Sequence, residues 1–297
     1  MERTLVAPIS FGLGDLVLSL PVVAALVEQG SPVWLVARAP SQVLLAERIP
    51  GLCGVVGEEG LVLRPGDRFV DLRDHPLQRD FWWGSPAFEA AHGTLGINEI
   101  LARICADFGI AADFSRPVAL RADRRLDLDR TVLLVHESDG PAKYWPVDRW
   151  AEVVSALRAD GRPVAHVTKA PGASALDPLG IPAVVLPTPG DVVDALTSCR
   201  GVIGIDTGLT HIAAQQATPT VTVCRRSSVY FRPWPHCRVV RGGPCTDACS
   251  VAEDRYAYNA EVSLDHFRPS PWVCPSGSPC MDEARPLDAV ARLRELL

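Results

Sequence analysis

Short apolar strands alternate with helical segments along most of this 297-residue chain, and that alternation constrains the fold more than any other feature. The pattern opens with an apolar strand at 4–8, a helix over 16–28 and a second strand at 32–37. It restarts at 132–135 and continues to 220–223. Because parallel strands need helical crossovers between them, the alternation predicts an α/β fold with parallel sheets covered by helices.

A charged segment at 121–131 interrupts this alternation and lacks the apolar spacing of a core element. It predicts a linker between two Rossmann-like halves, a first domain over 1–125 and a second over 126–297. The second half contains a cysteine-rich segment at 237–280 and an amphipathic terminal helix at 286–297. Ligands of doubly wound sheets bind beyond the carboxyl ends of the strands, so we expect the two halves to face a central cleft.

Charge and apolar patterning exclude some classes of partner. Asp and Glu number 35 against 29 Lys and Arg, which gives a net charge of −6 without any basic run. Nucleic acid is therefore not an expected partner. No uninterrupted apolar run reaches the roughly 18 residues of a membrane span, so no transmembrane segment is predicted. The first residues lack the pattern of a secretory leader, and the expected location is the cytoplasm.

The turn after the first strand carries two glycines and an acid, Gly12-Leu13-Gly14-Asp15. Glycine lets a backbone approach a ligand closely, and the helix dipole favours a carboxylate in the first helical turn. The same residues fit a tight turn in which Asp15 caps the helix. They also fit part of an NADP fingerprint, with Arg38 after the second strand as the partner of a 2′-phosphate. The residues alone leave both interpretations open.

A second turn, Asp206-Thr207-Gly208-Leu209 followed by His211, joins an apolar strand to a helix. Backbone N–H groups at a helix N-terminus have no partner inside the helix, so those of Thr207, Gly208 and Leu209 can bind phosphate oxygens. His211 lies one turn later and can reach the same anion. The alternative is an ordinary helix start, with Asp206 as its cap and His211 as a buried imidazole that has its own partner.

Lys143 stands just before a helix that Pro146 opens, in the loop after the first strand of the second half. That loop lies on the ligand side of the predicted sheet. A lysine there can neutralise a diphosphate, although a lone lysine on a loop is more commonly only solvated.

The chain has nine cysteines, an odd number, so they cannot all pair within one molecule. Two close pairs lie near the C-terminal end, Cys245 with Cys249 and Cys274 with Cys280. The first spacing suits a metal knuckle and the second is looser. A structural zinc or iron site, a disulfide and unlinked thiols all remain open.

Three blocks in this order resemble the ADP-heptose heptosyltransferases of glycosyltransferase family 9. They are Gly12-Leu-Gly-Asp15-Leu-Val-Leu-Ser-Leu-Pro21, Lys143-Tyr-Trp-Pro146 with Trp150, and Asp206-Thr-Gly-Leu-Thr-His211-Ile-Ala-Ala. The resemblance spans nearly the whole chain. It implies a GT-B fold of two Rossmann-like domains facing a cleft, with the acceptor on the first domain and the sugar nucleotide mostly on the second. It also implies a terminal helix that returns to the first domain.

The resemblance implies an inverting glycosyltransferase that moves heptose or a related sugar from a nucleotide-diphosphate donor, ADP-heptose, to an acceptor hydroxyl. Asp15 is then the catalytic base beside an acceptor-side loop of Gly12, Leu13 and Gly14. Lys143 and the turn from Asp206 to His211 bind the diphosphate. No cofactor is expected for catalysis. The acceptor is a lipid-linked saccharide of the lipopolysaccharide core or a small natural product.

Some features depart from the family or suggest other functions. After the strand near 163–167 the family offers a carboxylate for the nucleotide ribose, whereas this chain has Thr168-Lys169-Ala-Pro-Gly172, and the nearest acid is Asp177. Some relatives that modify autotransporters carry a four-cysteine iron site where this chain has its cysteine pairs. The pair Asp127 and Asp129 resembles a metal-binding D-x-D only by spacing. An NADP-dependent oxidoreductase and a non-catalytic sugar-nucleotide-binding protein are the alternatives.

Overall fold

The computed structural model describes residues 2–138, 140–250, 274 and 276–297. Its first half contains a four-stranded sheet, followed by three helices after the last strand. The elements are β1 (Thr4–Ala7), α1 (Leu13–Glu28), β2 (Val33–Ala37), α2 (Pro40–Ala46), β3 (Gly54–Gly57), β4 (Arg68–Asp71), α3 (Pro76–Arg79), α4 (Pro86–His92) and α5 (Ile97–Asp107). The strands are parallel in the order β3-β2-β1-β4.

The second half contains a six-stranded parallel sheet in the order β10-β9-β8-β5-β6-β7. Its elements are β5 (Val132–Val135), α6 (Val147–Ala159), β6 (Val164–Thr168), β7 (Ala183–Val185), α7 (Pro189–Ser198), β8 (Gly201–Ile205), α8 (Gly208–Gln215), β9 (Thr220–Cys224), β10 (Cys237–Arg241), α9 (Pro279–Asp282) and α10 (Pro286–Arg294). The strand order reverses between β5 and β8, which is where sheets of this kind bind ligands. The predicted parallel α/β architecture is confirmed.

Helix α1 joins the two halves. Its residues from Leu16 to Leu26 are almost all buried, and a helix that is apolar on every side needs protein around it. Strand β2 lies on one side of α1 and helix α8 of the second half on another. One apolar cluster accordingly contains residues of both halves, such as Leu20 and Ile212. The division at residue 125 stays a prediction, since this cluster crosses it.

The segment at 121–131 contains neither helix nor strand and is fastened to the second half. Asp194 of α7 is fully buried and is the centre of this attachment. Its carboxylate accepts hydrogen bonds from the Asp123 backbone N–H at 2.8 Å, from Arg124 at 3.0 Å and from Arg48 of the first half at 3.3 Å. The buried charge is thereby paired by Arg124 of the linker and by Arg48 of the first half.

The expected return of the terminal helix to the first half is wrong. Helix α10 packs against α6 and strands β8 to β10 of the second half. Its buried residues Ala289, Val290 and Leu293 join an apolar cluster built from second-half residues. Burying that apolar stripe on the nearest open sheet face explains the position.

No helix among the described residues is both long enough and apolar enough to cross a membrane. The cytoplasmic location stays a prediction.

Candidate functional site

Asp15 lies in the first turn of α1, at the carboxyl end of β1. Its Oδ2 accepts a hydrogen bond from the Gly12 backbone N–H at 2.9 Å, so the acid does cap the helix. Gln42 of α2 holds the preceding loop, because its amide donates to the carbonyls of Ser10 at 3.1 Å and Gly12 at 3.2 Å. Gln42 is fully buried. The sequence reasoning missed it, although a lone amide among the apolar residues of α2 is a signal of such a contact.

The surroundings of Asp15 tune its acidity. Burial raises its pKa to about 6, and the negative charge of Asp206 acts in the same direction. The hydrogen bond from Gly12 and the charge of Lys143 oppose this rise. A carboxylate in this range is ionised at neutral pH and is a stronger base than an exposed one.

Helix α8 begins at Gly208, directly after β8 and the turn at Asp206 and Thr207. The first intrahelical bond runs from the His211 N–H to the Thr207 carbonyl at 3.2 Å. The N–H groups of Gly208 and Leu209 therefore have no acceptor inside the helix and face the switch point of the sheet. Thr207 occupies the cap position in extended conformation, so Asp206 is not the ordinary cap that the sequence allowed.

Asp206 joins two other predicted site residues. Its Oδ2 lies 2.9 Å from Lys143 Nζ and its Oδ1 lies 3.4 Å from His211 Nε2. Burial opposes its charge, but Lys143 and His211 together hold its pKa well below the ordinary value. Burial lowers the pKa of His211, whose ring stacks on Phe231 with 4.5 Å between ring centroids. Phe231 was not predicted as part of this group.

The N-termini of α1 and α8 touch through two glycines. A Cβ added to Gly208 would lie 2.9 Å from the Gly14 nitrogen, and a Cβ added to Gly14 would lie 3.3 Å from the Gly208 Cα. Any side chain at Gly208 would therefore push the two helices apart. This contact brings Asp15 of the first half to the same place as Lys143 and Asp206 of the second, as their mutual effects on pKa also indicate.

Arg38 has partners of its own. It pairs with Glu58, and its guanidinium carbon lies 4.3 Å from the centroid of the Phe11 ring. Glu58 also accepts a hydrogen bond from Arg73 at 2.6 Å. Burial and the charge of Arg73 lower the pKa of Arg38 to about 10. Because Arg38 is already paired within this network, it gives no support to the NADP alternative, in which it would bind a 2′-phosphate.

Asp177, the acid that follows β6, contacts residues of its own half. Asp177 accepts a hydrogen bond from the Ser174 N–H at 3.0 Å, and its other oxygen lies 3.2 Å from His166 Nε2. His166 is fully buried. Asp177 thus stabilises the loop that follows β6.

The four cysteines singled out in the sequence lie together. Cys249 Sγ is 3.6 Å from Cys245 Sγ and 3.8 Å from Cys274 Sγ, and Cys280 forms a hydrogen bond with Cys245. None of the nine cysteines, all of which lie among the described residues, forms a disulfide. Across the described residues no group of three or more His, Cys, Asp or Glu side chains is arranged so that it could hold a metal ion. The thiol cluster is observed, and a metal on it stays a prediction.

Comparison with known proteins gives a family and a fold. Residues 106–255, about half of the chain, match the family model of glycosyltransferase family 9 (heptosyltransferase). No curated protein sequence matches.

Three solved structures show the likeness of the fold. A family 9 glycosyl transferase from Veillonella parvula DSM 2008 superposes with a TM-score of 0.67 at 14% identity, over 99% of this chain and 97% of the other. TibC is an iron-containing dodecameric heptosyltransferase from enterotoxigenic E. coli H10407, solved in complex with ADP-D-beta-D-heptose. It superposes with a TM-score of 0.67 at 17% identity, over 99% of this chain and 76% of TibC. The E. coli ADP-heptose LPS heptosyltransferase II superposes with a TM-score of 0.59 at 16% identity, over 99% of this chain and 98% of the other. The predicted GT-B fold is confirmed.

Proposed function

Because this chain belongs to glycosyltransferase family 9, we propose that it transfers heptose or a related sugar from a nucleotide-diphosphate donor, with inversion, to an acceptor hydroxyl. ADP-heptose is the proposed donor, since TibC binds ADP-D-beta-D-heptose and the E. coli heptosyltransferase II is an ADP-heptose LPS heptosyltransferase. The acceptor is a saccharide of the lipopolysaccharide core or a small natural product. The observation that carries this proposal is the meeting of Asp15 with Lys143 and Asp206 across the glycine contact.

The donor diphosphate is proposed to lie at the N-terminus of α8. The N–H groups of Gly208 and Leu209 would donate to its oxygens, and the helix dipole adds positive potential there. Lys143 would move one of its donors from Asp206 to the diphosphate, while Asp206 keeps the ammonium and His211 in place. These groups stabilise the charge that grows as the bond from the anomeric carbon to the phosphate oxygen breaks. We propose that they stabilise this negative charge without a metal cofactor.

Asp15 is proposed as the base on the acceptor side. The acceptor oxygen attacks the anomeric carbon from the face opposite the diphosphate, and the electron pair of the breaking bond leaves on the diphosphate. The hydroxyl proton passes to Asp15 as the new bond forms. The Gly12 N–H already occupies Oδ2, so Oδ1 is the oxygen proposed to receive the proton. Attack from the opposite face gives inversion at the anomeric carbon.

The pH dependence of transfer follows from the state of this base. Since the pKa of Asp15 is raised to about 6, the carboxylate is ionised above that pH and protonated below it. We expect kcat/KM to be flat between about pH 7 and 8 and to fall about tenfold per pH unit below the pKa. Initial rates between pH 4.5 and 8 measure this. A profile that stays flat to pH 4.5 would contradict the assignment, and Asp15→Asn should show a low rate with no such limb.

The donor class is tested by binding and by product analysis. We expect ADP and ADP-heptose to raise the melting temperature of the protein more than GDP, UDP, dTDP or NADPH at equal concentration. Incubation with ADP-heptose and a core-saccharide acceptor should release ADP and add one heptose to the acceptor, seen by mass spectrometry. Stabilisation by NADPH alone, with no transfer from any sugar nucleotide, would overturn the proposed function.

The described side chains form no ready-made metal-binding group, and we propose that the thiol cluster of Cys245, Cys249, Cys274 and Cys280 closes around one structural metal ion, outside the catalytic step, when that ion binds. Sulfur atoms bound tetrahedrally to zinc lie about 3.8 Å apart, given bonds of about 2.3 Å, and two of the observed separations are close to this. Elemental analysis of protein purified without chelator should find about one zinc or iron per chain, lost in Cys249→Ser. Metal-free protein of unchanged melting temperature would contradict the proposal.

A further inference from the structure

Helix α1 contains a proline where a helix normally has a hydrogen-bond donor. Pro21 lies inside α1 and has no N–H, so the carbonyl of Val17, four residues earlier, has no donor within the helix. An unpaired buried carbonyl costs free energy comparable to a lost hydrogen bond. The Val17 carbonyl therefore needs a partner from outside the helix.

That partner comes from the second half of the molecule. The amide nitrogen of Gln215, at the end of α8, donates to the Val17 carbonyl at 3.1 Å. Its oxygen accepts from the Val118 backbone N–H of the first half at 2.7 Å. Gln215 is only 1% exposed, so both ends of its amide are used in these contacts.

A second buried side chain contacts the next carbonyl along α1. Arg232 donates from Nη2 to the Leu18 carbonyl at 2.7 Å and from Nε to the Asn98 side chain at 3.0 Å. It is 6% exposed, and its guanidinium lies 5.3 Å from the Trp234 ring centroid. Two consecutive carbonyls of α1 thus accept from two buried side chains of the second half.

The consequence concerns the catalytic geometry. Asp15 lies two residues before Val17 on α1, and Gln215 lies on α8, whose other end is the proposed diphosphate site. At the other end of α8, Gly208 contacts Gly14 of α1. Helix α8 therefore contacts the first turns of α1 from both of its own ends, and these contacts fix the place of Asp15 relative to the donor.

We propose that Pro21, Gln215 and Arg232 are positioning residues for sugar transfer. Pro21 opens the helix, and the two side chains hold α1 so that Asp15 stands at its working distance from the donor. This inference rests on the proposed function. It assigns to Pro21 a role that helix propensity alone would count as a defect.

Gln215→Met tests the positioning role, because methionine keeps the length of the side chain and removes both hydrogen bonds. We expect kcat for transfer to fall at least about tenfold, while KM for the donor and Kd for ADP stay within about twofold. Gln216→Met is the matched control, since the Gln216 amide also bridges the halves but donates to the Leu120 carbonyl at 3.2 Å and not to α1. Unchanged kcat in folded Gln215→Met, or an equal loss in Gln216→Met, would overturn the proposal.

A double-mutant cycle measured by thermal unfolding tests the hydrogen bond from Gln215 to the Val17 carbonyl without any transfer assay. Pro21→Ala supplies the missing N–H to the Val17 carbonyl, a repair that matters most when Gln215 no longer donates. We expect Pro21→Ala to raise the melting temperature more in the Gln215→Met background than in the wild-type background. Equal shifts in both would contradict the role of Pro21. If the wild-type protein transfers no sugar, the proposed function fails, while this cycle still decides whether the contact exists.

Discussion

Asp15→Ala is expected to lower kcat for sugar transfer by about 10²–10⁴-fold, with ADP binding within about twofold of wild type. The acid lies on the first half, across the glycine contact from Lys143 and Asp206, so its loss removes the proposed proton acceptor and leaves the diphosphate site complete. Rates with saturating ADP-heptose, together with calorimetric titration of ADP, separate the two effects. A variant that transfers at the wild-type rate would remove Asp15 from the mechanism.

Asp15 also caps α1, and a second variant separates that role from catalysis. Asp15→Asn keeps an oxygen for the Gly12 N–H, whereas Asp15→Ala loses this bond at a cost of about 0.5–2 kcal/mol in the free energy of unfolding. We expect both variants to lose transfer alike, with the melting temperature falling only in Asp15→Ala. Asp74→Ala is a control on the same half, since that side chain is 76% exposed and pairs with Arg79. Recovery of transfer in Asp15→Asn would identify capping as the real role.

The sequence predicts the sheets well because their signal is local. The strands predicted at 4–8, 32–37, 132–135, 163–167 and 220–223 are observed as β1, β2, β5, β6 and β9, each within about two residues. The position of the terminal helix was taken from the family resemblance, because amphipathic spacing shows that a helix has a face to bury but not which sheet receives it. Strand β10 was not predicted, since only half of it is apolar and it gains its place by pairing with β9.

The candidate site likewise has residues that the sequence predicts and residues that it does not. The turns at Asp15 and Asp206 were found because glycines and acids at the junction of a strand and a helix carry their chemistry in a few adjacent residues. The sequence analysis did not identify Gln42, Gln215 or Arg232. Each donates to a backbone carbonyl at least 30 positions away, and contacts between such distant residues produce no periodic pattern in the sequence. Pro21 belongs to a motif that the sequence shows, yet its physical role depends on Gln215, which donates to the carbonyl that the missing N–H leaves unpaired within α1.

Lys143→Met is expected to lower kcat by about 10²–10³-fold, the usual cost of removing one donor from developing charge. It should also weaken donor binding, for a reason beyond the lost cation. Lys143 Nζ lies 2.9 Å from Asp206 Oδ2, and its charge helps keep the pKa of Asp206 low. Without it, the partly buried carboxylate of Asp206 keeps His211 as its ion-pair partner among the described residues and repels an incoming diphosphate.

A double variant separates the two effects of Lys143. In Lys143→Met with Asp206→Asn, the repulsion is gone as well as the cation, so ADP affinity should recover most of its loss while kcat stays low.

Lys169→Met, at the only other lysine of the chain, removes the same charge from the end of β6 and should change kcat by less than about threefold. Equal losses at both lysines would mean that net positive charge near the cleft matters, and not an ammonium held by Asp206. Full recovery of kcat in the double variant would show that Lys143 serves only to neutralise Asp206, and the leaving diphosphate would then depend on the N–H groups of Gly208 and Leu209.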